Sequence, residues 1–596
     1  MFDKQGPWAR FIAPLIAIAL CACADAAITA AAEPPAALAP SPPGEAMAAT
    51  ANHYATDAAA QILREGGSAV DAAIAAEAVL GLVEPQSSGV GGGGFLVFYN
   101  GQTHDIGAYD GRERAPAGAT ATMFLDANGR PMNFLDAHTS GRSIGTPLSV
   151  AMLKMAHEDH GRLPWARLFE PAIQLATRGF EISPRFNALV TYAGQNERLK
   201  QDRNARAYFF DRRGNPWPVG HVLRNPAYAA TLRAIARQGP SALTQGPIAE
   251  DIVAAAQRDP FPGTLQLSDL QWAQPRRIAA ICGAFRVYRV CTAGPPSSGN
   301  AVIAILGLYQ RARPHPGGPT NADDWSALLW ASRLAYADRD HYMADDQFAP
   351  MPTQQLISPQ YLDQRARLID VGRAPAQVSP GVPAGQREIF EHWGRDTSDD
   401  PGTSHVVIVD QWGDAVSMTN TVESLYGSQR MVRGFVLNNQ LTDFSFSPTL
   451  NGRPVANAVE PHKAPRSSMS PAIVTDRDGR LVLAIGSPGG SSIIDYVARP
   501  IVAMLDWNMP VQDAIDQGNV IARDAPAVIE SSRMPAGIVE ALHARGWTTR
   551  ELTLGEVSGI QAIRATPQGL VGGADPRREG TVARIAPGET ATPPAR

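Results

Sequence analysis

A compact α/β protein is predicted, on three observations. Two helix-like segments, His53–Arg64 and Val70–Val83, lead into a glycine-dense loop and then the apolar, strand-like run Phe95–Tyr99. The middle third, from about Ser149 to Asp370, carries mostly helical spacing of apolar residues. A β-hairpin then stands out: Thr403–Asp410 is rich in Val and Ile, turns at Gln411–Asp414 and returns as Ala415–Val422.

Composition narrows the function classes. The chain has 596 residues, 44% hydrophobic and 18% charged, which is room for one very large domain or a few ordinary ones. It carries 52 basic against 57 acidic residues and no long basic run, so no phosphate-tracking surface and no nucleic acid partner are expected. Four cysteines are too few for a disulfide scaffold. The twelve histidines fall in no ligand spacing and no GxSxG elbow is present, so neither a metal nor a cofactor is expected. Gly91–Gly94 lacks the GxGxxG spacing and no GK[ST] follows it. Close backbone packing is the expected reason for these glycines, not a phosphate cradle.

Taken in order, Lys4 and Arg10 precede the apolar run Phe11–Leu20, and small residues follow. That run is half of the roughly 20 residues that a helix needs to span a bilayer. Residues 1–27 therefore read as an export signal with a periplasmic destination, and no membrane span is expected. Leu20, Ala22 and Cys23 also resemble a lipoprotein signal that would anchor the chain by lipid at Cys23, although Cys21 is unusual in such a box. Residues 28–51, rich in Ala and Pro, read as a solvated tether.

His53–Arg64 stops at Gly66-Gly67, a helix-ending pair, and Val70–Val83 is an Ala-rich second helix. Leu148–His157 and Trp325–Tyr342 are further helices, the latter with Leu328, Leu329, Ala331, Leu334 and Ala335 in one stripe. A hairpin closing over Arg286-Val287 would set Cys282 opposite Cys291. An oxidising compartment would allow a bridge there, but Arg-Val is poor turn chemistry, so a bridge and two buried thiols both stay open. From Arg373 to Asp400 periodicity vanishes and Pro, Gly, Gln and Asp dominate, as in a linker. Strand-like runs recur at Gly434–Leu437, Ala472–Thr475 and Leu481–Ile485, and helices at Ile493–Leu505 and Val511–Gln517.

The junction Pro401-Gly402-Thr403-Ser404 carries a chemical possibility. A threonine hydroxyl is a weak nucleophile until a base takes its proton. A cut just before Thr403 would free an α-amine of pKa about 8 on the same residue, within reach as that base. A polar linker ending in Gly, followed by a strand opening with Thr, is the arrangement such a cut needs.

Ten short segments occur in one order along the chain: GGSAVDAA (66–73), SGVGGGGF (88–95), DGRERAP (110–116), PPSSG (295–299), ADR (337–339), TSHVVIVD (403–410), LNNQLTDFS (437–445), PRSSMSP (465–471), GSPGGS (486–491) and ADPRREG (574–580). Together they resemble the γ-glutamyltranspeptidase (glutathione hydrolase) family of N-terminal nucleophile hydrolases, over about Asn52 to Ala583. The resemblance implies a four-layer αββα sandwich, made as a precursor that cuts itself between Gly402 and Thr403. A large subunit of residues 52–402 and a small catalytic subunit of residues 403–596 would then form a heterodimer. It further implies Thr403 as nucleophile, Thr421 as the threonine that orients it, and Gly489 and Gly490 as the oxyanion hole. Arg112, Ser467 and Ser468 would hold the α-carboxylate of a γ-glutamyl group, and Gln440 and Asp443 its α-ammonium.

Glu423 stands where well-known members carry asparagine near the α-ammonium; a carboxylate there would strengthen cation binding and sharpen rejection of acyl groups lacking an amine. The stretch from Asp443 to Ser467 is short for the lid loop of some bacterial members, which would leave the pocket open to larger γ-glutamyl compounds. The implied donors are glutathione and other γ-glutamyl compounds, and the implied acceptors are water, amino acids or peptides. Two alternatives stand beside this: an acylase acting on glutaryl cephalosporins, and an uncut, inactive extracytoplasmic binding protein.

Overall fold

The computed structural model describes residues 44–385, 401–553 and 557–589. The proposed export signal, Cys23 and most of the linker lie outside the described residues. Twelve strands form one continuous antiparallel ribbon. They are β1 (Ala46–Thr50), β2 (Gly93–Tyr99), β3 (Ile106–Gly111), β4 (Arg276–Phe285), β5 (Tyr288–Ala293), β6 (Pro401–Val409), β7 (Ala415–Ser424), β8 (Ala472–Thr475), β9 (Leu481–Gly486), β10 (Gln561–Thr566), β11 (Gly569–Ala574) and β12 (Thr581–Ile585). Their spatial order is β11-β10-β9-β8-β5-β4-β3-β2-β7-β6-β1-β12.

The long strand β4 belongs to two halves. Its first part, Arg276–Ala279, pairs with β3, and Ala280–Phe285 pairs with β5. The ribbon folds over there into two stacked sheets, and strict alternation along the strands shows the layers. Ala48, Leu96, Phe98, Val406 and Ile408 face helices α1 (His53–Arg64) and α2 (Ala69–Val83) in one core. Their neighbours Ala49, Phe95, Val97, Val407 and Val409 face the other way and pack with Ile473, Leu483, Ile485 and Ile563 of the second sheet. Helices α3 (Gly299–Ala312), α4 (Ala322–Tyr342) and α5 (Ile493–Leu505) complete that second core. The layers run helix, sheet, sheet, helix, as the αββα expectation requires.

Several local signals translate directly. Ser68 and Asp71 form a capping box that starts α2, and Asp71 also accepts from the main-chain N–H of Arg162 and Leu163 at 2.8 and 2.9 Å. Cys282 lies opposite Cys291 and the two are bridged, so the bridged alternative holds. The unfavourable turn is rescued from outside: Arg286 takes a left-handed φ of 56° while its guanidinium pairs with Asp506 at 2.7 and 2.9 Å.

Two expectations need correction. The tether does not reach residue 51, because Ala46–Thr50 is a fully buried strand between β6 and β12. Its Ala-rich sequence has weak strand propensity, but small side chains are what two closely packed layers demand. Likewise α4 is not a one-stripe helix, since it is buried on all sides from Asp324 to Tyr342.

Candidate active site

The two central strands β6 and β7 create the site through a register slip. Gly402 opposes Glu423 but Thr403 opposes Thr421, so Val422 is an extra residue bulged out of the ladder. The bulge turns both threonine side chains the same way. Their hydroxyls are 3.0 Å apart, and Thr421 also donates to the Gly402 carbonyl at 2.6 Å while accepting from the N–H of Glu423 at 2.8 Å. A hydroxyl has one proton, so with Thr421 committed to Gly402 the shared proton between the threonines belongs to Thr403.

The glycine run explains how the strands come so close. A Cβ on Gly92 would fall 1.9 Å from the Thr421 carbonyl oxygen, and one on Gly94 would fall 2.3 Å from that of Thr419. Beneath them Asn420 donates to Glu77 at 2.6 Å and to Ser149 at 2.7 Å, tying β7 to α2. Burial pushes the Glu77 carboxyl up to about 8, so this anchor is neutral below that pH.

Thr403 opens into a cavity lined by Thr421, Arg112, Glu423, Gln440, Asp443, Ser467, Ser468 and Gly490. The expected site residues thus converge, with one exception. Gly489 is not in the lining; it forms the turn behind Gly490. The φ values of Gly489 and Gly490 are 138° and 57°, a path that L side chains rarely adopt, and it leads straight into the N-terminus of α5. Gly490 and Ile493, the first residue of α5, both line the cavity, so this wall lies at the helix-dipole end suited to negative charge.

The opposite wall holds paired charges. Arg112 is buried; Asp110 accepts from its main-chain N–H at 2.8 Å, and its guanidinium donates to the carbonyls of Pro465 and Arg466. It also forms an ion pair with Asp443, which takes a second hydrogen bond from Gln440 at 2.8 Å. Glu423 is held in a left-handed conformation, φ 83°, by Ser424 and Asn439, both donating to its carboxylate. Behind Arg112, the Glu113 carboxyl lies 4.0 Å from the guanidinium, and burial pushes it up to about 8 despite that cation.

Residues that sequence reasoning left without a role brace this wall. Arg339, from the ADR segment, donates to Ser468 at 2.6 Å and to Ser298 of PPSSG at 3.1 Å. Ser297 donates to the Met469 carbonyl at 2.7 Å, and the Ser467 N–H donates to Pro296 at 2.8 Å. Arg339, Arg466, Met469, Ser491 and Ile493 also line the cavity. Except for Ile493, their signal in the sequence was membership of quoted segments, which marks importance without marking direction. The stretch after Asp443 is an ordered short hairpin, Thr449–Leu450 with Arg453–Pro454, tied down by Asn457 donating to the Asp443 carbonyl at 2.7 Å. Among the described residues no cluster of three or more His, Cys, Asp or Glu side chains is arranged to hold a metal ion, and no helix is long and apolar enough to cross a membrane.

Comparison with known proteins agrees with this geometry. The family described as Gamma-glutamyltranspeptidase matches residues 55–585, so the chain belongs to that family. The glutathione hydrolase proenzyme of Escherichia coli K12 is 34% identical over 551 residues, covering 89% of this chain and 90% of that protein. That of Bacillus subtilis 168 is 32% identical over 525 residues, covering 87% of each. Among solved structures, Helicobacter pylori γ-glutamyltranspeptidase is 30% identical with a TM-score of 0.51, covering 55% of this chain and 92% of that one. A cephalosporin acylase from Bacillus halodurans has a TM-score of 0.78 at 23% identity, covering 92% and 98%; that likeness concerns the fold alone.

Proposed function

We propose that this member of the γ-glutamyltranspeptidase family is an exported γ-glutamyltransferase and glutathione hydrolase that matures by cutting itself between Gly402 and Thr403. The observation that carries the reading is the hydroxyl pair: Thr403 lies 3.0 Å from Thr421, which itself donates to the carbonyl of the bond to be cut. In maturation the Thr403 oxygen attacks the Gly402 carbon while Thr421 polarises its carbonyl. The acyl group passes from nitrogen to oxygen, and water hydrolyses the ester, leaving a Gly402 carboxylate and a free Thr403 amine.

In turnover that amine takes the proton of its own hydroxyl, which attacks the γ-carbonyl of a γ-glutamyl amide. The main-chain N–H at Gly490, presented by the turn that Gly489 makes behind it, receives the developing oxyanion, and such a donor is worth about 2.7–4 kcal/mol in the transition state. The ammonium returns its proton to the leaving amine. Water or an acceptor amine then resolves the acyl-enzyme.

The ion pair between Arg112 and Asp443 supports a zwitterionic substrate. Its two poles match the α-carboxylate and α-ammonium of a glutamyl group, so a bound substrate replaces one internal pair with two of its own. Ser467 and Ser468 add hydroxyl donors for the carboxylate, and Gln440 and Glu423 stand beside Asp443 for the ammonium. Export is inferred from the N-terminal segment, and the Cys282–Cys291 bridge is compatible with an oxidising compartment.

Denaturing electrophoresis tests the maturation step: two bands are expected, with the smaller beginning at Thr403. Thr403→Ala should stay uncut and lose turnover altogether. Active material in which residues 402 and 403 remain joined would overturn the reading. A γ-glutamyl anilide compared with a glutaryl anilide separates it from the acylase alternative, since only a site that reads the amine prefers the former.

A further inference from the structure

Behind Thr403, on the side away from the cavity, a guanidinium approaches the nucleophile's main chain. Arg578, from the ADPRREG segment, donates to the Thr403 carbonyl at 2.7 Å and more weakly to Val557 at 3.4 Å. Its side chain is buried, and its Nε has no hydrogen-bond partner among the described residues. It runs over Gly559, where a Cβ would fall 2.6 Å from its Cδ and 2.7 Å from Pro488, the residue before the Gly489-Gly490 turn. One side chain therefore touches the nucleophile and packs beside the oxyanion turn.

Among the described residues no carboxylate pairs with Arg578 directly. Glu84 and Asp575 act on it through space, Arg185 opposes it, and the Tyr496 ring lies nearby. Asp575 is engaged by Arg577 at 3.0 Å, and by Ser558. Glu579 takes hydrogen bonds from Arg185 and Asn52. Glu84 accepts from Ser404 at 3.1 Å, with Arg185 at 3.8 Å, and burial pushes its carboxyl up. On the cavity side Glu423 lines the same cavity as the threonine pair. A buried cation without a carboxylate at contact distance among the described residues is costly to keep, and here its one short contact is the residue proposed to carry the freed amine.

Resting on the proposed maturation, we infer that Arg578 is a positioning residue that clamps the main chain of Thr403 and, by its charge, keeps the liberated α-amine neutral and able to accept a proton near neutral pH. A cation placed beside an amine disfavours a second positive charge there. Burial of Thr403 acts in the same sense, and Glu423 acts against it. At about 6 Å and an effective dielectric of about 20, one unit charge shifts a neighbouring titration by roughly one to two pH units.

The test is the pH profile of kcat/KM for a γ-glutamyl anilide in mature wild-type protein, Arg578→Lys and Arg578→Met. The acid limb should move to higher pH by about one to two units in Arg578→Met, and stay within about half a unit of wild type in Arg578→Lys. A uniform loss of activity in Arg578→Met with an unmoved limb would mean a purely structural role and overturn the inference. Should Arg578→Met fail to mature, the wild-type enzyme still decides. Carbamylation of the Thr403 amine by cyanate, followed by mass spectrometry, should show a midpoint well below the ordinary α-amine value of about 8. A midpoint at or above that value would overturn it. If wild type has no free amine at Thr403, the functional reading falls instead, so the two failures are distinct.

Discussion

On the cavity side of Thr403, charges meet partners that a ligand can replace: Arg112 with Asp443, and Glu423 with Ser424 and Asn439. On the sheet side, Arg578 meets main-chain carbonyls and no carboxylate at contact distance among the described residues. The first arrangement is suited to exchange, since Asp443 is 22% exposed and lies within reach of an incoming ammonium. The second is suited to permanence, because Arg578 and the Thr403 carbonyl that it clamps are both buried. On the proposed reading, Thr403 sits between a replaceable network that recognises substrate and a fixed one that sets the proton affinity of its amine.

Substitutions on the cavity side should test that division most strongly. Asp443→Ala leaves Arg112 buried without its partner and removes a pole of the substrate site, so KM for a γ-glutamyl anilide should rise at least about 100-fold while fragment formation continues. If KM were unchanged, the pair would be structural only. Thr421→Val removes the donor to Gly402 and the acceptor of the Thr403 proton; steady-state kinetics should show kcat lower by about 100-fold with KM little altered, and pulse-chase should show slower cutting. A normal kcat would show that Thr421 merely packs.

A smaller effect is expected from Glu423→Gln, which leaves Asp443 to read the amine. The preference for γ-glutamyl over glutaryl anilide should narrow by about 10-fold, and an unchanged ratio would detach Glu423 from recognition. The smallest concerns the reserve behind Arg112. Folded Glu113 holds its proton up to about pH 8 whereas an unperturbed carboxyl releases it near 4.5, so between those values the folded state binds more protons. Stability should fall as pH rises through that window, and Glu113→Gln should flatten the fall in a plot of Tm against pH.

Much of the site was legible because its parts are local. Ser68 and Asp71 cap a helix three residues apart, Gly92 and Gly94 announce close strands, and Thr403 opens a hairpin after a polar stretch. What escaped depends on distance. The role of Arg339 arises where it meets Ser298 and Ser468, residues far from it in the chain. Strand β1 was hidden because Ala46–Thr50 has no strand propensity of its own. The bulge between Gly402 and Thr403 was equally invisible, since register belongs to a pair of strands.

The resemblance to the family marked the charged and hydroxyl groups proposed for the substrate, while the sequence by itself determined the alternation that sorts each strand's side chains between two cores and the position of the Thr403 hydroxyl at a strand opening. Those are properties of residue type and short spacing. Only the tertiary structure decided that Arg112 pairs with Asp443 across the cavity, that Gly489 stands behind Gly490, and that Arg578 reaches the carbonyl of Thr403. Such contacts join residues tens to hundreds of positions apart, or depend on how a turn is presented. Their electrostatic consequences exist only once folding has excluded water around them.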